Sequence, residues 1–498
     1  MTASRRKGKK MIKTIRPKLE LLSRRFIEKI IDEAYEILDK QGIFVENKEA
    51  LKLFTQAGMK VDKKTSRVHL KRRLVEKCLA TAPSVIKLYD RTGEREYTVG
   101  GDEVHFDPGS AAVRILDHKT GEERKPDTKD VVDFCRLTEC LDNIHFQSTG
   151  LISADVPHPI ADIYRLYIGL IFSRKPVVTG TFRVQSFRPM KDLLAAVRGG
   201  DKALAAKPMA IFDACPSPPL KWSNLTTQSL IDAARAGLPS ELISMGLTGA
   251  TSLVTISGTL VQHVAENLCG VTIVQLAKKG APVIFGGSPA SFDMKRGTPP
   301  MGAIETMMID AGYAQIGKYL NLPTHAYMAL SDAKTNDAQA GMETGVGAVL
   351  GALAGINVIS GPGMLDFESC QSLEKLVIDD EICGMAYRLI SGIAQRDEPI
   401  ATDKFEGYTP ETQFLSMPHT KKWYRMEHLY PVIADRDTYD AWVALGKKPI
   451  AQRASEHIEK LLRSNPPALI EKDVRTELTR ILTAYAKANG IESLPALP

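Results

Sequence analysis

The chain has 498 residues, 44% hydrophobic and 25% charged, which is the composition of a globular protein long enough to hold a large core and more than one structural unit. The net charge at pH 7 is only +6, and the visible basic excess lies in the first 18 residues. A basic tail can contact nucleic acid or a membrane surface, but three tryptophans and no interleaved basic–aromatic pattern argue against nucleic acid. We therefore expect a solvated, flexible tail.

The seven cysteines are odd in number and contain no Cys-x-x-Cys motif, which disfavours a disulfide framework and a structural zinc site. No charge-free apolar run reaches membrane-spanning length, and the N-terminus has no apolar signal-peptide segment. These features predict a protein of the cytoplasm, with no membrane attachment and no metal of its own.

The N-terminal part is predicted to form a flexible tail over residues 1–19 and a small cap over residues 20–101. The cap begins with an amphipathic helix from Pro17 to Lys40, whose apolar residues recur every four positions. Two more helices are predicted at Lys48–Ala57 and Lys71–Thr81, before the chain reaches Gly101.

Residues 102–395 show a regular alternation of apolar, strand-like runs and helical runs. The predicted strands are His105–Phe106 or Ala112–Leu116, Ile144–Leu151, Pro176–Thr181, Met209–Ala214, Leu242–Met245, Pro282–Phe285, Pro323–Ala329 and Ile356–Ile359. The predicted helices are Asp130–Leu141, Ile160–Phe172, Met190–Ala205, Thr227–Ala236, Ile256–Lys279, Ile304–Leu320, Ala338–Ala354 and Leu373–Ile390. Successive strands begin roughly 32 to 41 residues apart, a spacing typical of a βα repeat.

Eight such units predict an α/β fold, the (β/α)8 TIM barrel, and the main alternative is a doubly wound open sheet. The barrel is favoured because no Gly-x-Gly-x-x-Gly follows the first strand. Residues 396–498 lose the pattern and are rich in Pro, His, Tyr and Lys before helices resume at Ile450–Ser464 and Glu471–Ala488. We expect this extension to wrap on the barrel, in a position where it could cover the mouth.

The strand ends carry the candidate functional residues, because a TIM barrel places its chemistry on the loops at the carboxyl ends of its strands. Asp213 and Cys215 follow one strand and precede a stiff Pro-rich loop with Trp222, although a lone Asp there is more often a turn or capping residue. Gly286, Gly287 and Ser288 end another strand, where paired glycines permit close approach of a ligand or a partner, or simply form a tight turn.

The stretch around Asn321–Glu368 concentrates the polar residues. His325 and Tyr327 lie two apart on a strand and therefore face the same side, where a hydrogen-bonded histidine is a more common occupant than a metal ligand. The Ser331–Glu343 segment contains four ionisable groups and Gln339, and it leads into a helix of small residues. We expect this loop to lie at the barrel mouth as part of a site, although Asp337 is also explained as a helix cap.

Four separate segments resemble the trimethylamine methyltransferase family. They are HFDPGSAA (105–112), FGGSPASFDMKRGTPPMGAIE (285–305), SDAKTNDAQAGMETG (331–345) and LEKLVIDDEI (373–382), and the resemblance extends over roughly residues 21–481. The resemblance implies a TIM-barrel enzyme that moves a methyl group from a methylated amine to the Co(I) centre of a separate corrinoid protein. The archaeal trimethylamine enzymes carry pyrrolysine, whereas this chain contains ordinary residues throughout and is similar to the pyrrolysine-lacking branch that demethylates quaternary amines such as glycine betaine.

That implied reaction sets what the site must contain. A trimethylammonium head calls for aromatic walls close to it and carboxylates at a greater distance, and a betaine carboxylate calls for hydrogen-bond donors. The predicted substrate-binding residues are Phe106, Arg114, Phe212, Asp213, Trp222, His325, Tyr327, Lys334, Phe367 and Glu368. The predicted catalytic residues are Asp332, Gln339 and Glu343, and Gly286, Gly287 and Ser288 are assigned to the approach of the corrinoid.

Two alternatives remain open at this stage. One is another barrel enzyme, a lyase or hydrolase that uses Asp332 and Glu343 as acid and base. The other is a non-catalytic barrel that binds a betaine or docks on a corrinoid protein. The expected cofactor, cobalamin, belongs to the partner protein and not to this chain, and the sequence leaves a homo-oligomer open.

Overall fold

Eight short parallel strands, each followed by a helix, form the centre of the molecule. The computed structural model describes residues 11–464 and 470–497, so most of the predicted tail lies outside the described residues. The strands are β1 His105–Asp107, β2 Gln147–Ser148, β3 Val177–Gly180, β4 Ala210–Ala214, β5 Ser240–Leu242, β6 Val283–Ile284, β7 His325–Tyr327 and β8 Val358–Ser360. The helices are α1 Thr128–Cys140, α2 Ala161–Phe172, α3 Phe187–Arg198, α4 Asn224–Ala236, α5 Ile256–Ala277, α6 Ile304–Tyr319, α7 Ala338–Ala354 and α8 Leu373–Ile390.

Backbone hydrogen bonds join these strands into a ring. Strands β2 to β6 form one parallel sheet, and β7, β8 and β1 form another. At one seam the Phe285 amide donates to the Pro323 carbonyl (2.8 Å), and the His325 amide donates to the Phe285 carbonyl (3.0 Å). At the other seam the His145 amide donates to the Phe106 carbonyl (2.9 Å). The sheets are bonded at both edges, which is the (β/α)8 arrangement that the sequence predicts and not an open doubly wound sheet.

The structure corrects three of the predicted element boundaries. The first strand is His105–Asp107, because Arg114–Leu116 pairs instead with Cys370–Ser372 in a small sheet beyond the mouth. Strand β5 is Ser240–Leu242, which lies two residues before the predicted Leu242–Met245. The helix predicted from Met190 to Ala205 ends at Arg198, because Gly199 has φ 89° and caps it, and a short helix follows at Asp201–Ala206.

The barrel interior changes from apolar to polar along the strands. Its lower layer consists of Phe146, Val178, Ile211, Ile284 and Val358, closed from below by Ile86, Leu88, Tyr97 and Val99 of a hairpin. That hairpin is formed by Val85–Tyr89 and Glu96–Gly100. Side chains two residues apart on a strand face the same way. The next interior positions, Ser148, Gly180, Asp213, Gly286 and Ser360, are all polar or glycine, so the upper half of the barrel is built for a polar function.

The remaining N-terminal elements precede the barrel strands, and their division into a separate cap stays a prediction. The helices are Arg24–Glu36, Lys48–Gln56 and Arg72–Leu79, and the strands are Ile43–Val45, Lys60–Asp62 and Arg67–His69. The first helix begins later than predicted, because the Ser23 side chain caps it by accepting from the Phe26 amide, and it ends in a π-helical turn at Ile37–Gln41. Lys221–Trp222, from the loop after β4, joins this sheet beside Ile43–Val45.

The C-terminal extension lies against the outer wall of the barrel. Helix Ile450–Ser464 packs on α8 and α1, and helix Lys472–Ala488 packs on α3 and α2. Short helices at Pro418–Glu427 and Tyr439–Ala444 lie in the stretch where no helical periodicity was predicted. The extension reaches the mouth loops where Arg183 Nη1 donates to Asn489 Oδ1 (2.7 Å). Within residues 11–464 and 470–497, no helix has both the length and the apolar character needed to cross a bilayer.

Candidate active site

The upper interior layer brings three acidic side chains together from three different strands. Asp107 ends β1, Asp213 lies on β4 and Glu241 lies on β5. Glu368 reaches the same region from the loop after β8, since the charges of Asp213 and Asp107 both act on its carboxyl group. Burial raises the pKa of all four carboxyl groups, that of Asp213 to about 7.

Asp213 and Glu241 form the closest pair in this layer. They are register partners on the adjacent parallel strands β4 and β5, so their side chains leave the sheet side by side on the same face. Burial and the charge of Asp213 raise the pKa of Glu241 well above its usual range, which favours a proton on one of the two carboxyl groups. Glu241 is fully buried, and neither of its oxygens receives a hydrogen bond from an N–H or O–H donor of the described residues.

A hydrogen-bonded chain of His325, Ser360 and Asp107 runs beside this pair around the barrel. His325 Nε2 lies 3.3 Å from Glu241 Oε1, and its hydrogen bond goes to Ser360 Oγ (3.0 Å). Ser360 Oγ in turn donates to Asp107 Oδ1 (2.7 Å). Burial lowers the pKa of His325 to about 3, so the imidazole is neutral and cannot serve as the cation that balances these acids.

A strained turn directs Glu368 towards the mouth. Asp366, Phe367 and Glu368 have φ values of 50°, 53° and 69°, a run of three left-handed residues without glycine. Each such residue costs on the order of 1–2 kcal/mol, so the turn needs specific support. Ser369 Oγ donates to Asp366 Oδ2 (2.6 Å), and Lys334 forms an ion pair with Asp366 (3.1 Å) while it lies over the Phe367 ring (3.8 Å).

Tyr327 supplies an aromatic ring to the same chamber. Its hydroxyl lies 3.3 Å from Ser110 Oγ, and the charge of Glu368 acts on it. The ring stands edge-on to His325, with 5.0 Å between the ring centroids. Tyr327 is therefore the predicted aromatic residue that does face the barrel interior.

Arg165 is the basic side chain that reaches these acids. It projects from α2, donates to the Thr149 carbonyl (2.6 Å) and lies over the Phe182 ring (4.5 Å). Its charge acts on both Asp162 and Asp213, and its Nε has no hydrogen-bond partner in the described structure. Burial lowers its pKa to about 10, so it is charged at neutral pH.

The chamber is open towards the mouth. Asp107, Glu241, His325 and Ser360 are fully buried, whereas Asp213, Glu368, Gly180, Ser110 and Cys215 are only partly buried. Acids on interior strand positions can keep such exposure only if they line a space continuous with solvent. The arrangement is a polar chamber with an apolar floor and an accessible upper end.

Asp332, Glu343 and Gln339, predicted to be catalytic, lie together at the rim and are engaged with the backbone. Asp332 accepts from the amides of Met301 and Gly302 (2.9 Å each), and Glu343 accepts from Ser331 Oγ (2.6 Å) and the Asp332 amide (2.8 Å). Gln339 Nε2 donates to Glu343 (2.9 Å). This rim clamp, defined as Asp332 with Glu343, joins the loops after β6 and β7, and its catalytic role stays a prediction.

The other predicted binding residues divide between the chamber, the outer wall and the surface. Phe106 packs on Tyr387 of α8, Phe212 packs on Phe187 of α3, and Trp222 is buried with its Nε1 donating to the Glu266 carbonyl (3.2 Å). These three rings face the helices and not the interior, because they occupy the opposite strand face or another strand. Arg114 and Lys334 have roughly half of their side chains exposed, and both pair with acids outside the chamber.

The two glycines after β6 are explained by close packing. A side chain at Gly286 would lie within 2.9 Å of the His325 ring, and one at Gly287 would collide with His263. Ser288 is buried, and its hydroxyl has no hydrogen-bond partner in the described structure. Their assignment to the approach of a corrinoid stays a prediction.

Sequence reasoning missed Asp107, Glu241, Ser360 and Arg165. Asp107 closes the HFD run in a segment that already carried the family resemblance, and Glu241 is an acid inside a short apolar strand. Arg165 lies in ADIYRLYIGLIF, a helix whose every residue is buried. A charged residue within an otherwise apolar element was the available signal, since such residues are rarely buried without a partner or a function.

The comparisons with known proteins agree with the geometry. The family model described as trimethylamine methyltransferase (MTTB) matches residues 1–488. The chain is 33% identical over 456 residues to trimethylamine methyltransferase MttB of Desulfitobacterium hafniense strain DSM 10664 / DCB-2, covering 92% of each chain. It is 30% identical over 478 residues to glycine betaine methyltransferase of Desulfitobacterium hafniense strain Y51, covering 96% of this chain and 99% of the relative.

A solved structure supports the fold independently. The crystal structure of the Methanosarcina barkeri monomethylamine methyltransferase (MtmB) superposes with a TM-score of 0.53 at 12% identity, covering 91% of this chain and 90% of that one. At that identity the likeness concerns the fold. The family match and the relatives concern the activity, and together they show that this chain is a methyltransferase that belongs to the trimethylamine methyltransferase family.

Proposed function

We propose that this chain transfers a methyl group from a quaternary amine to the Co(I) centre of a corrinoid protein and releases the tertiary amine. The observation that carries the proposal is the convergence of Asp107, Asp213, Glu241 and Glu368 inside the barrel, with Arg165 as the basic residue among them. Four carboxyl groups against one guanidinium make the chamber a site for a positively charged ligand.

The chamber also fits the shape of a trimethylammonium group. Such a group cannot donate a hydrogen bond, so it is bound by charge and by aromatic faces. Tyr327 lies on the interior side of β7, in register with Ser360, and a cation over an aromatic face gains about 0.5–2 kcal/mol. Gly180 leaves the space beside Asp213 free of a side chain. These contacts favour a compact cation over a hydrogen-bonded ligand.

The chemistry explains why demethylation of a quaternary amine needs only the twenty common amino acids. When the C–N bond breaks, the electron pair stays on nitrogen and a neutral tertiary amine leaves, so the departing group needs no proton donor. Positive charge disappears from nitrogen along the reaction, so a very strong anionic grip would hold the substrate more tightly than the transition state. Carboxyl groups that share protons hold the cation less strongly than four full charges would.

The chain's own task is therefore positioning. The apolar floor and the acidic wall fix the ammonium head, and the open upper end leaves one methyl group directed at the mouth. Cobalt, carried by the partner protein as the methyl acceptor, supplies the nucleophile. Alignment of the reacting atoms by a rigid chamber is a proximity effect, the kind of contribution that is worth several kcal/mol in well-oriented reactions.

Glycine betaine or a related betaine is the substrate that we propose within this class. Its carboxylate needs a cation near the ammonium site, and the buried Arg165 with its unpartnered Nε meets that need. The relative that is printed as a glycine betaine methyltransferase supports the choice. His325, one of the substrate-binding residues predicted from sequence, is neutral and bonded to Ser360, so it does not supply that cation.

The test is methyl transfer with purified components. The full chain is incubated with a Co(I) corrinoid protein or free Co(I) cobalamin and with glycine betaine, carnitine, choline or trimethylamine, and the visible spectrum reports methylation of the cobalt. We expect conversion with a quaternary amine and none with trimethylamine. No conversion with any quaternary amine, while a control methyltransferase is active in the same assay, would exclude the proposal.

A matched pair of variants ties the activity to the chamber. Glu368→Gln removes one chamber acid, and Asp232→Asn removes a half-buried acid on helix α4 that hydrogen-bonds Gln228 (3.0 Å). We expect a drop in kcat/KM of at least tenfold for Glu368→Gln and little change for Asp232→Asn. Equal effects of the two changes would show that the chamber acids have no special role.

A further inference from the structure

We propose that the ammonium ligand displaces a proton from the Asp213–Glu241 pair when it binds. Binding would thus exchange one positive charge for another inside the barrel. The inference rests on the proposed function and extends it, because it names how the acids of the chamber are neutralised before the ligand binds.

The geometry of the pair requires a shared proton. Asp213 and Glu241 are register partners on adjacent strands, so their carboxyl groups leave the sheet side by side. Glu241 has no exposed surface, and among the described residues neither its two oxygens nor Asp213 Oδ1 finds a hydrogen-bond donor. Asp107 likewise has one buried oxygen, Oδ2, without a partner in the described part of the chain. A buried carboxylate pair with no other donor is stable only if a proton or a cation lies between its members.

The charged groups around the pair determine whether it holds a proton or a cation. Arg165 is the positive group that acts on Asp213, and His325 next to Glu241 is neutral. The titratable groups that face the pair come from β1, the loops after β4 and β8, α2, α6 and β7, and they are Asp107, Cys215, Glu368, Arg165, Tyr313, His325 and Tyr327. Negative neighbours outnumber the one guanidinium, so the empty chamber retains protons.

An arriving quaternary ammonium changes this balance. Its positive charge is permanent, so it favours the ionised form of the pair, and one proton leaves for the solvent. The ammonium charge then stands in place of the bound proton, so the net charge of the chamber is the same before and after binding.

Calorimetry measures this exchange directly and needs no corrinoid protein. Glycine betaine and tetramethylammonium are titrated into the full chain at pH 6, 7 and 8, in pairs of buffers that differ in ionisation enthalpy. We expect close to one proton released per bound ammonium at pH 6, less at pH 8, and an affinity that rises by up to tenfold per pH unit over the lower part of the range. Release of no protons at any pH would overturn the inference.

A probe of the same shape that lacks the ammonium charge provides the control. 3,3-Dimethylbutyrate has the outline of glycine betaine with a carbon in place of nitrogen, so it should bind, if at all, without releasing a proton. The Asp213→Asn variant places an amide donor beside Glu241 and removes the shared proton. We expect proton release to disappear in Asp213→Asn and in Glu241→Gln, and to persist in Asp232→Asn. Unchanged release in both site variants would place the proton elsewhere.

The outcomes separate this inference from the proposed function. Proton release on binding with no methyl transfer to Co(I) would leave the linkage standing and exclude the methyltransferase assignment. Methyl transfer together with binding that is independent of pH would support the methyltransferase assignment and exclude the proton linkage. Circular dichroism and thermal melting of each variant show that the chain is folded before its binding is interpreted.

Discussion

Gly180 and Asp213 are register partners on β3 and β4, and the absent side chain at Gly180 leaves one side of the Asp213 carboxyl group unoccupied. A Cβ atom at Gly180 would lie 3.6 Å from the Asp213 Cβ and 4.0 Å from its Oδ2. These are ordinary contact distances, so Gly180→Ala should fold normally. We expect Gly180→Ala to weaken binding of a trimethylammonium substrate about tenfold, and Gly180→Val about a hundredfold, because the added carbons take its place.

Binding of glycine betaine by calorimetry and kcat/KM in the methyl-transfer assay both report this loss. Gly345→Ala is the matched control, since a Cβ at Gly345 meets nothing within 4 Å and the residue lies in α7. Alanine in a helix is favoured over glycine by up to about 1 kcal/mol, so this variant should be equally active and slightly more stable. A fully active Gly180→Val would show that the substrate does not occupy the space beside Asp213.

The buried acids should make the protein less stable at neutral pH than a variant that lacks one of them. Burial raises the pKa of Asp213 to about 7, whereas an unfolded chain has an Asp pKa of about 3.9. Between these two values the folded protein binds more protons than the unfolded one, so its stability falls as the pH rises. Asp213→Asn has no such proton, and we expect its advantage over the wild type to grow from pH 4 to pH 7 and then level off.

Urea unfolding at pH 5, 6, 7 and 8 checks this prediction. Each pKa unit is worth about 1.4 kcal/mol, so the advantage at pH 8 should be a few kcal/mol at most. An Asp213→Asn variant that is less stable than the wild type at pH 8 would contradict the assigned pKa shift. A gain in stability with a loss of activity would be the usual trade-off at a functional site.

The fold could be predicted from sequence because the βα period is local and repeated. The bounds of α7 and α8 match the prediction, since Asp337 and Ser372 cap them and Gly355 ends the first. The site was predicted less completely, because strands of two to five residues carry too little periodicity to show which side faces inward. The predicted β5 began two residues too late, so Glu241 was not among the candidate residues. Aromatic residues were chosen because they lie near strand ends, and this choice selected Phe106 and Phe212, whose side chains face the helices.

A buried ion pair should hold the loop that carries Glu368. Lys375 and Asp379 lie one turn apart on α8 with almost no exposed surface, and their charged atoms are 2.5 Å apart. Lys375 Nζ also donates to Thr344 Oγ1 (2.6 Å), and Asp379 accepts from the Gly363 amide (2.7 Å) at the start of the loop. Lys375→Met leaves a buried carboxylate without its cation, so we expect a loss of about 3–5 kcal/mol in unfolding free energy.

The double variant Lys375→Met with Asp379→Leu tests whether charge or packing is responsible. Replacing both members of a buried pair by apolar residues is often neutral, so the double variant should recover most of the stability. It should not recover the activity, because the Gly363 amide then lacks its acceptor and the loop is no longer held. Full activity in the double variant would show that this contact does not position Glu368.

The rim clamp allows the two roles of Asp332 to be separated. Burial raises the pKa of Asp332 to about 6, and it accepts from two backbone amides of the loop after β6. As a clamp, Asp332→Asn should loosen that loop and lower the melting temperature while leaving the pH profile of kcat unchanged. If Asp332 is instead an acid or base in the reaction, the Asp332→Asn variant should lose the limb of the kcat profile near pH 6. The contacts lead us to expect the first result, and the profile of kcat between pH 5 and 8 measures it.

Arg165 should determine whether the substrate is a betaine or a simple ammonium ion. Its guanidinium is buried, charged and unpartnered at Nε, so a substrate carboxylate that reaches it gains a charge-assisted hydrogen bond of about 1.5–3 kcal/mol. Arg165→Gln should therefore lower the affinity for glycine betaine by roughly 10- to 100-fold. The affinity for tetramethylammonium should fall much less. Removing the guanidinium also leaves the acids of the chamber less balanced, which favours a cation without a carboxylate.

The ratio of the two dissociation constants is the measurement, because a general loss of structure would lower both affinities together. A ratio that does not change in Arg165→Gln would mean that the carboxylate is bound elsewhere, and that the chamber selects its ligand by the ammonium head alone.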